Sequence, residues 1–245
     1  MRNIRITRSI VPNLFTTLNM FSGFVSIIYS NEHRFYAASV MIIIATLFDA
    51  LDGIMARLTK SSSEFGVELD SLSDLVSFGV APAFLIYQIH LFQYGVLGIV
   101  ISSFLMIAGG LRLARFNVQL VGFDKPYFVG LPIPSSAITI ASFILVYYKN
   151  DSGLGTWAVY IIPMVIILSL LMVSRIRYET IPKFSKKGLK ERPYSAAFIL
   201  VSIILIAATK GQAIFYIFVL IIVIGILRYA ISLFKAKENH VEIDK

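Results

Sequence analysis

Between Leu75 and Leu111 the chain carries no Asp, Glu, Lys or Arg. Such a run is too long for one helix across a bilayer, which needs about 20 residues, and His90, Gln93 and Gly95 mark the turn that divides it. Comparable stretches recur along the chain. The expected spans are Ser9–Asn31, Phe35–Leu58, Ser71–Ile89, Tyr94–Asn117, Pro132–Tyr148, Leu154–Ser174, Tyr194–Thr209 and Gln212–Phe234, the last two joined by a hairpin at Lys210-Gly211-Gln212. The apolar runs are continuous, not alternating, which argues against a transmembrane barrel. Hydrophobic residues make up 57% of the 245 positions and charged residues 15%. A soluble domain carries roughly 25% charge, so water cannot be the only solvent here. The fold class that follows is all-α, a polytopic integral membrane helical bundle of about eight transmembrane helices.

The basic residues orient the bundle. With the N-terminus inside, 19 of the 22 Lys and Arg fall on that side, and only Arg34, Lys149 and Lys210 fall on the other. This is the asymmetry of the positive-inside rule, so both termini are expected in the cytoplasm, and an odd number of spans would spoil it. The first stretch is too long for a signal-peptide core and contains Pro12, Asn13 and Asn19, which makes it a span. Arg2, Arg5 and Arg8 before it suit either topology setting or a short interfacial helix. The basic loop Pro182–Pro193 suits anionic headgroups, and the polar tail after Phe234 is expected to fray. A net charge of +8 placed this way points to membrane lipid and not to nucleic acid. The absence of cysteine excludes disulfides, zinc–thiolate sites and a thiol nucleophile.

Ten of the 14 acidic residues lie in loops or tails. The other four, Asp49, Asp52, Asp70 and Asp74, sit in or at the ends of apolar helices. A carboxylate at membrane depth costs several kcal/mol and marks function. Four from neighbouring helices repel one another unless protonated or bridged by a cation. Asp49 and Asp52 are i,i+3 and Asp70 and Asp74 are i,i+4, so each pair shares a helix face. The short Lys60–Leu69 connection makes the two helices antiparallel, with acidic faces opposed. All-oxygen ligation suits Mg²⁺ or Mn²⁺, not zinc, and four carboxylates can hold two ions for phosphoryl displacement. Gly53 and Ala56 leave room for a phosphate, Arg57 lies about two turns beyond Asp49 and can grip a diphosphate, and Gly66 precedes Asp70 by one turn. Each alone would read as helix packing, a topology marker or a transporter's ion site; their order together points to metal-assisted chemistry on a diphosphate.

Asp49-Ala-Leu-Asp52-Gly53-Ile-Met-Ala56-Arg57, eight further residues, then Gly66-Val-Glu-Leu-Asp70-Ser-Leu-Ser-Asp74 resembles the signature D-x2-D-G-x2-A-R-x8-G-x3-D-x3-D of the CDP-alcohol phosphatidyltransferases. The resemblance implies an integral membrane enzyme, usually a homodimer, that displaces CMP from a CDP-linked lipid with an alcohol. It implies that Asp49, Asp52 and Asp70 hold a first divalent ion. Asp74 would help hold a second and act as general base, with Gly53, Ala56, Arg57 and Gly66 receiving the cytidine diphosphate. Pro12-Asn13-Leu-Phe-Thr16-Thr-Leu-Asn19-Met-Phe-Ser-Gly23 resembles the first helix of the phosphatidylserine synthase branch, which adds Asn13 and Thr16 to the CDP-lipid contacts. Segments around Asp70–Ala83, Gly110–Asn117 and Gly130–Pro134 resemble later blocks of that branch. The likeness covers about Ile10–Ser136, so residues 1–148 are read as the catalytic core and 149–245 as additional helices with a basic loop and tail.

Serine as acceptor fits the residues: its carboxylate needs a cation, and Arg112 and Arg115, i,i+3 at the cytoplasmic end of the fourth span, offer two, with Asn117 as a polar contact. Glycerol 3-phosphate and inositol phosphate stay open, although their phosphates call for several basic groups. Ester and ether lipid tails are equally compatible. An intramembrane prenyltransferase would need a second, distant aspartate motif, and a transporter would favour acidic groups near the midplane of two related halves. The expected site faces the cytoplasm from the cell membrane.

Overall fold

The computed structural model describes residues 10–59, 63–119, 127–179 and 193–243. The Arg2, Arg5 and Arg8 segment and the basic loop up to Arg192 lie outside the described residues. The first two helices are α1 (Ile10–Asn31) and α2 (Phe35–Thr59). A third span runs from Glu64 to Ile89 as α3 (Glu64–Asp74), a π-helical turn (Leu75–Val80) and α4 (Ala81–Ile89). Next come α5 (Val96–Gln119), α6 (Ile133–Tyr147) and α7 (Ile161–Val173), the last led in by a 3₁₀ turn at Gly155–Tyr160. The final pair is α8 (Pro193–Ala208) and α9 (Ala213–Ile243). Among the described residues six of these segments have the length and hydropathy to cross a membrane, where about eight spans were expected, and Ile133–Tyr147 and Phe198–Ala208 are shorter apolar helices.

Local chemistry sets several boundaries. Ser63 caps α3 by accepting the Gly66 N–H at 3.0 Å, and Glu64 lies in the first turn, where the helix dipole favours an anion. The third span therefore starts at Glu64, a turn or two before the Ser71 suggested by hydropathy. Pro82 has no N–H for the carbonyl of Phe78, and the ladder widens just before it, Ala81 N–H donating to Val76. The helix α9 continues to Ile243, beyond the last apolar residues, where fraying was expected. The described residues also include a short ribbon: β1 (Tyr127–Val129) pairs antiparallel with β2 (Arg177–Glu179), Phe128 opposite Tyr178.

The helix α1 is apolar outside and polar inside. Its buried positions are Pro12, Thr16, Asn19, Ser22, Gly23, Ser26 and Ser30, while Leu14, Phe21, Phe24 and Ile28 are exposed. In water that arrangement would be inverted; in lipid it is expected, because hydrocarbon solvates the large side chains and small polar ones let helices approach. This stripe is a seam. Ser73 donates to the Thr16 carbonyl at 2.9 Å, Ser77 to the Asn19 carbonyl at 2.8 Å, and Ser26 to the Ala38 carbonyl of α2 at 2.9 Å. Thus α1 lies along both α2 and the third span. The innermost helix is α6, buried from Ser136 to Ile144. At the end of the bundle away from Arg57, Tyr147 stacks on Trp157 at 4.2 Å and its hydroxyl meets that of Tyr216 at 2.9 Å. Such amphipathic rings suit a membrane–water interface.

Gly23 measures how tight the seam is. A Cβ there would lie 2.6 Å from the Ser77 Cα, a backbone atom that cannot move alone. Gly23→Ala is expected to cost about 1–3 kcal/mol by overpacking, read as a lower thermal midpoint in detergent. An unchanged midpoint would mean that α1 and the π turn are not in such contact.

Candidate active site

The two acidic faces meet as an antiparallel pair. Asp49 lies ten residues before the end of α2 and Asp74 ten residues after the start of α3, so both stand about 15 Å from the connecting turn at 1.5 Å per residue. Asp49 and Asp74 come within hydrogen-bond reach, and Asp70 lies close enough to Asp49 and Asp52 for their charges to interact. The backbones of α2 and α3 have little direct contact, and α1 fills the angle between them.

That helix supplies polar partners to both pairs. The Thr16 hydroxyl donates to Asp52 Oδ2. The Asn19 amide donates to Asp74 Oδ1 at 3.3 Å. Asp52 and Asp74 are only 8% and 9% exposed. Carboxylates so placed cannot all be charged without a counter-charge, since their repulsion is poorly screened away from water.

One oxygen from each of Asp49, Asp70 and Asp74 lies within 4.8 Å of the others, an acidic group that could bind a metal. A Mg²⁺–oxygen bond of about 2.1 Å puts two ligands of one ion at most about 4.2 Å apart, so small rotations of the three side chains close the set around an ion. The donors are all oxygens, as a hard divalent cation requires. The residues present therefore fit the expected cofactor. Asp52, expected beside Asp49 and Asp70 around one ion, stands next to this group and is engaged by Thr16.

Toward the connecting turn the site opens. A Cβ on exposed Gly53 would meet nothing within 4 Å. Ala56 is half-buried one turn on, and the exposed Arg57 donates through Nε to the Gly53 carbonyl at 2.8 Å, which holds its guanidinium beside that open space. Gly66 faces Asn13, whose Oδ1 would be 3.5 Å from a Cβ there. Asn13, Gly53, Ala56, Arg57 and Gly66 thus sit at the ends of α1, α2 and α3 that adjoin the aspartates.

The two arginines of α5 part company. Arg112 is buried, 7% exposed, and its charge acts on Asp74. Arg115 donates to the carbonyls of Val129 at 2.7 Å, Val173 at 3.0 Å, and Met172 and Ser174 at 3.3 Å. It caps the C-terminal end of α7 and fastens β1 to it. Gly130, at φ 84°, is needed there, since a Cβ would lie 2.3 Å from the Met172 carbonyl oxygen. A shared helix face did not give the two a shared task, because α7 ends beside the last turn of α5 and its unpaired carbonyls attract a cation. Asn117 donates to Ser71 at 3.0 Å, tying α5 to α3 one residue from Asp70. Asn19, Ser73 and Ser77 were not singled out as functional from the sequence. For Asn19 the signal was there: small and polar residues at three- to four-residue spacing inside a 22-residue apolar helix.

Comparison with known proteins bears on the chemistry. The family model described as CDP-alcohol phosphatidyltransferase matches residues 9–173. A CDP-diacylglycerol–serine O-phosphatidyltransferase of Helicobacter pylori is 33% identical over 224 residues, covering 91% of this chain and 92% of that protein. An archaetidylserine synthase of Methanothermobacter thermautotrophicus is 42% identical over 185 residues, 74% of this chain and 75% of that protein. A CDP-diacylglycerol–serine O-phosphatidyltransferase of Bacillus subtilis is 32% identical over 180 residues, 74% of this chain and 96% of that protein.

Two outcomes are expected from the geometry. Arg115→Ala strands several carbonyls and should cost about 3 kcal/mol, seen as a lower thermal midpoint in detergent, and Arg115→Lys should recover only part of it because a lysine cannot fork across four acceptors. A stable Arg115→Ala protein would contradict the capping role. Separately, Asp49→Asn and Asp70→Asn should each weaken Mn²⁺ binding, followed by electron paramagnetic resonance, at least tenfold; undiminished binding would place the ion elsewhere.

Proposed function

The chain belongs to the CDP-alcohol phosphatidyltransferase family, and on that premise we propose that it transfers the phosphatidyl group of a CDP-linked lipid to the hydroxyl of L-serine, releasing CMP. The observation that carries this reading is the convergence of Asp49, Asp70 and Asp74 beside the open flank of Gly53. Asp49, Asp70 and Asp74, with Asp52 adjoining, would hold Mg²⁺ or Mn²⁺, two ions being the arrangement suited to phosphoryl displacement. When bound, such ions supply charge neutralisation for the linked phosphates and for the departing phosphate of CMP.

The chain's own residues do the rest. Arg57, with Gly53, Ala56, Gly66 and Asn13 around it, receives the cytidine diphosphate, and Thr16 steadies Asp52 at the edge of that pocket. Asp74 takes the proton of the serine hydroxyl as its oxygen forms a bond to the lipid-bearing phosphorus. The bond from that phosphorus to the bridging oxygen breaks, and its electron pair leaves with CMP. Arg112, near Asp74, pairs with the serine carboxylate while Asp74 meets the hydroxyl. Arg115 is occupied by carbonyls and takes no part in that contact.

Relatives named for ester-type and archaeal lipids share serine in their names, which supports a site that reads the head and not the tails. The charge asymmetry of the loops supports an active site on the cytoplasmic side of the cell membrane, with both termini there. The family resemblance supports a homodimer. Residues 1–148 form the catalytic core on this reading, with the later helices as additions.

The deciding experiment offers the purified protein a CDP-lipid with serine, glycerol 3-phosphate or inositol phosphate and measures CMP release. Serine alone should support turnover; release with glycerol 3-phosphate instead would reassign the acceptor. EDTA should abolish the reaction and Mn²⁺ or Mg²⁺ restore it. Asp74→Asn should lower kcat at least a thousandfold in a folded protein, and wild-type turnover would remove the base assignment. Arg112→Ala should raise KM for serine at least tenfold and that for the CDP-lipid little.

A further inference from the structure

We infer that Asn19 is a positioning residue for Asp74, its amide fixing how the carboxylate is presented to the incoming hydroxyl. The inference rests on Asp74 being the proton acceptor.

Asn19 is wholly buried near the middle of α1, and its Nδ2 donates to Asp74 Oδ1. A carboxamide nitrogen can only donate, so the oxygen it faces is held as an acceptor. The amide thereby sets the plane in which the Asp74 carboxylate is presented to the serine hydroxyl. Fixing the carboxylate also matters for rate, since errors of about 1 Å in placing a reacting group can cost 100-fold.

The other end of the same side chain argues that this contact is not helix adhesion alone. Asn19 Oδ1 is buried and has no hydrogen-bond partner among the described residues. Leaving a buried acceptor unsatisfied costs about 1–3 kcal/mol. A leucine, branched at the same carbon, has no such acceptor to leave unsatisfied. Nor is the amide needed to dock α1: Ser73 and Ser77 already join the third span to α1 through the Thr16 and Asn19 carbonyls, and the second of these uses the backbone of Asn19, which any residue would supply. Thr16 treats Asp52 in a parallel way one turn earlier, but its hydroxyl leaves no buried atom unpartnered. Asn19 therefore stands where stability alone would favour an apolar side chain, and what it gains is the bond to Asp74. Outer groups that orient a metal-ligating or reacting carboxylate act in this way elsewhere.

The test compares Asn19→Leu and Asn19→Asp with wild type and Asp74→Asn in the full-length protein. Measured are kcat, KM for serine and for the CDP-lipid, Mn²⁺ affinity by electron paramagnetic resonance, and the thermal midpoint. In a folded Asn19→Leu protein Mn²⁺ affinity and both KM values should change less than threefold, while kcat falls at least 30-fold. Asn19→Asp keeps the size but brings no N–H; it should lose kcat similarly and decides the matter if the leucine variant does not fold. A folded variant of either kind with kcat within threefold of wild type overturns the inference, as does a loss of kcat that only tracks lost Mn²⁺ binding or lost stability. If Asp74→Asn is inactive while Asn19→Leu turns over normally, only this inference falls; if Asp74→Asn itself turns over normally, the base assignment falls and takes it along.

Discussion

Carboxylates brought together inside an apolar bundle repel each other through a medium that screens poorly, and the rest of this structure answers that repulsion. Three answers are visible. The oxygens of Asp49, Asp70 and Asp74 come close enough to share a divalent ion. Arg112 brings a buried positive charge to bear on Asp74. Polar groups of α1 donate to the two members of the quartet that are most buried, Thr16 to Asp52 and Asn19 to Asp74. None of these would be worth its own burial without the aspartates. The cluster is thus the reason for an inside-out first helix, and that helix is the reason the cluster can stay in place when α2 and α3 make little backbone contact of their own.

The same helix shows how two solvents act on one segment. Lipid accepts Leu14, Phe21, Phe24 and Ile28 on its outer face, so burial of apolar surface gives α1 no reason to dock. Close approach and hydrogen bonding must supply it. Gly23 against Ser77, and the serine hydroxyls that reach α1 carbonyls, are that supply. A polar contact in hydrocarbon is worth about 1 kcal/mol, so several in a row are needed, and their three- to four-residue spacing keeps them on one face.

The spans were legible because charge and length are nearly independent signals that agree: each apolar run ends where lysines, arginines or turn residues begin. The antiparallel meeting of the aspartates was legible too, since Asp49 and Asp74 sit equally far from one short turn. What the sequence hid was what depends on distant chain. Three-residue strands at Tyr127–Val129 and Arg177–Glu179 show no alternation of their own and pair across nearly 50 intervening residues. The π turn follows from a missing N–H at Pro82 but not its hydrogen bonding, which packing selects. The polar stripe of α1 was on view as Asn13, Thr16, Asn19, Ser22 and Ser26, yet periodic polarity within an apolar helix does not say which neighbour it will face.

The parting of Arg112 and Arg115 bears on the acceptor. Helical periodicity puts both on one side of α5, and two guanidinium groups there would suit a phosphate as well as a carboxylate. Packing removes the ambiguity. Arg115, one turn nearer the helix end, meets the C-terminus of α7, where carbonyls without helical partners carry partial negative charge, and it is consumed there. Arg112, one turn deeper, is beyond that end and acts on Asp74. Among these two arginines one positive charge, not two, is therefore set against the acidic site. An amino acid's carboxylate asks for one such charge, and its ammonium group is at home among aspartates. An alcohol bearing a phosphate brings about two negative charges at pH 7 into the same acidic surroundings with no second arginine to meet them. The asymmetry imposed by one helix end on a pair of otherwise equivalent arginines thus favours serine over acceptors that the sequence alone left open.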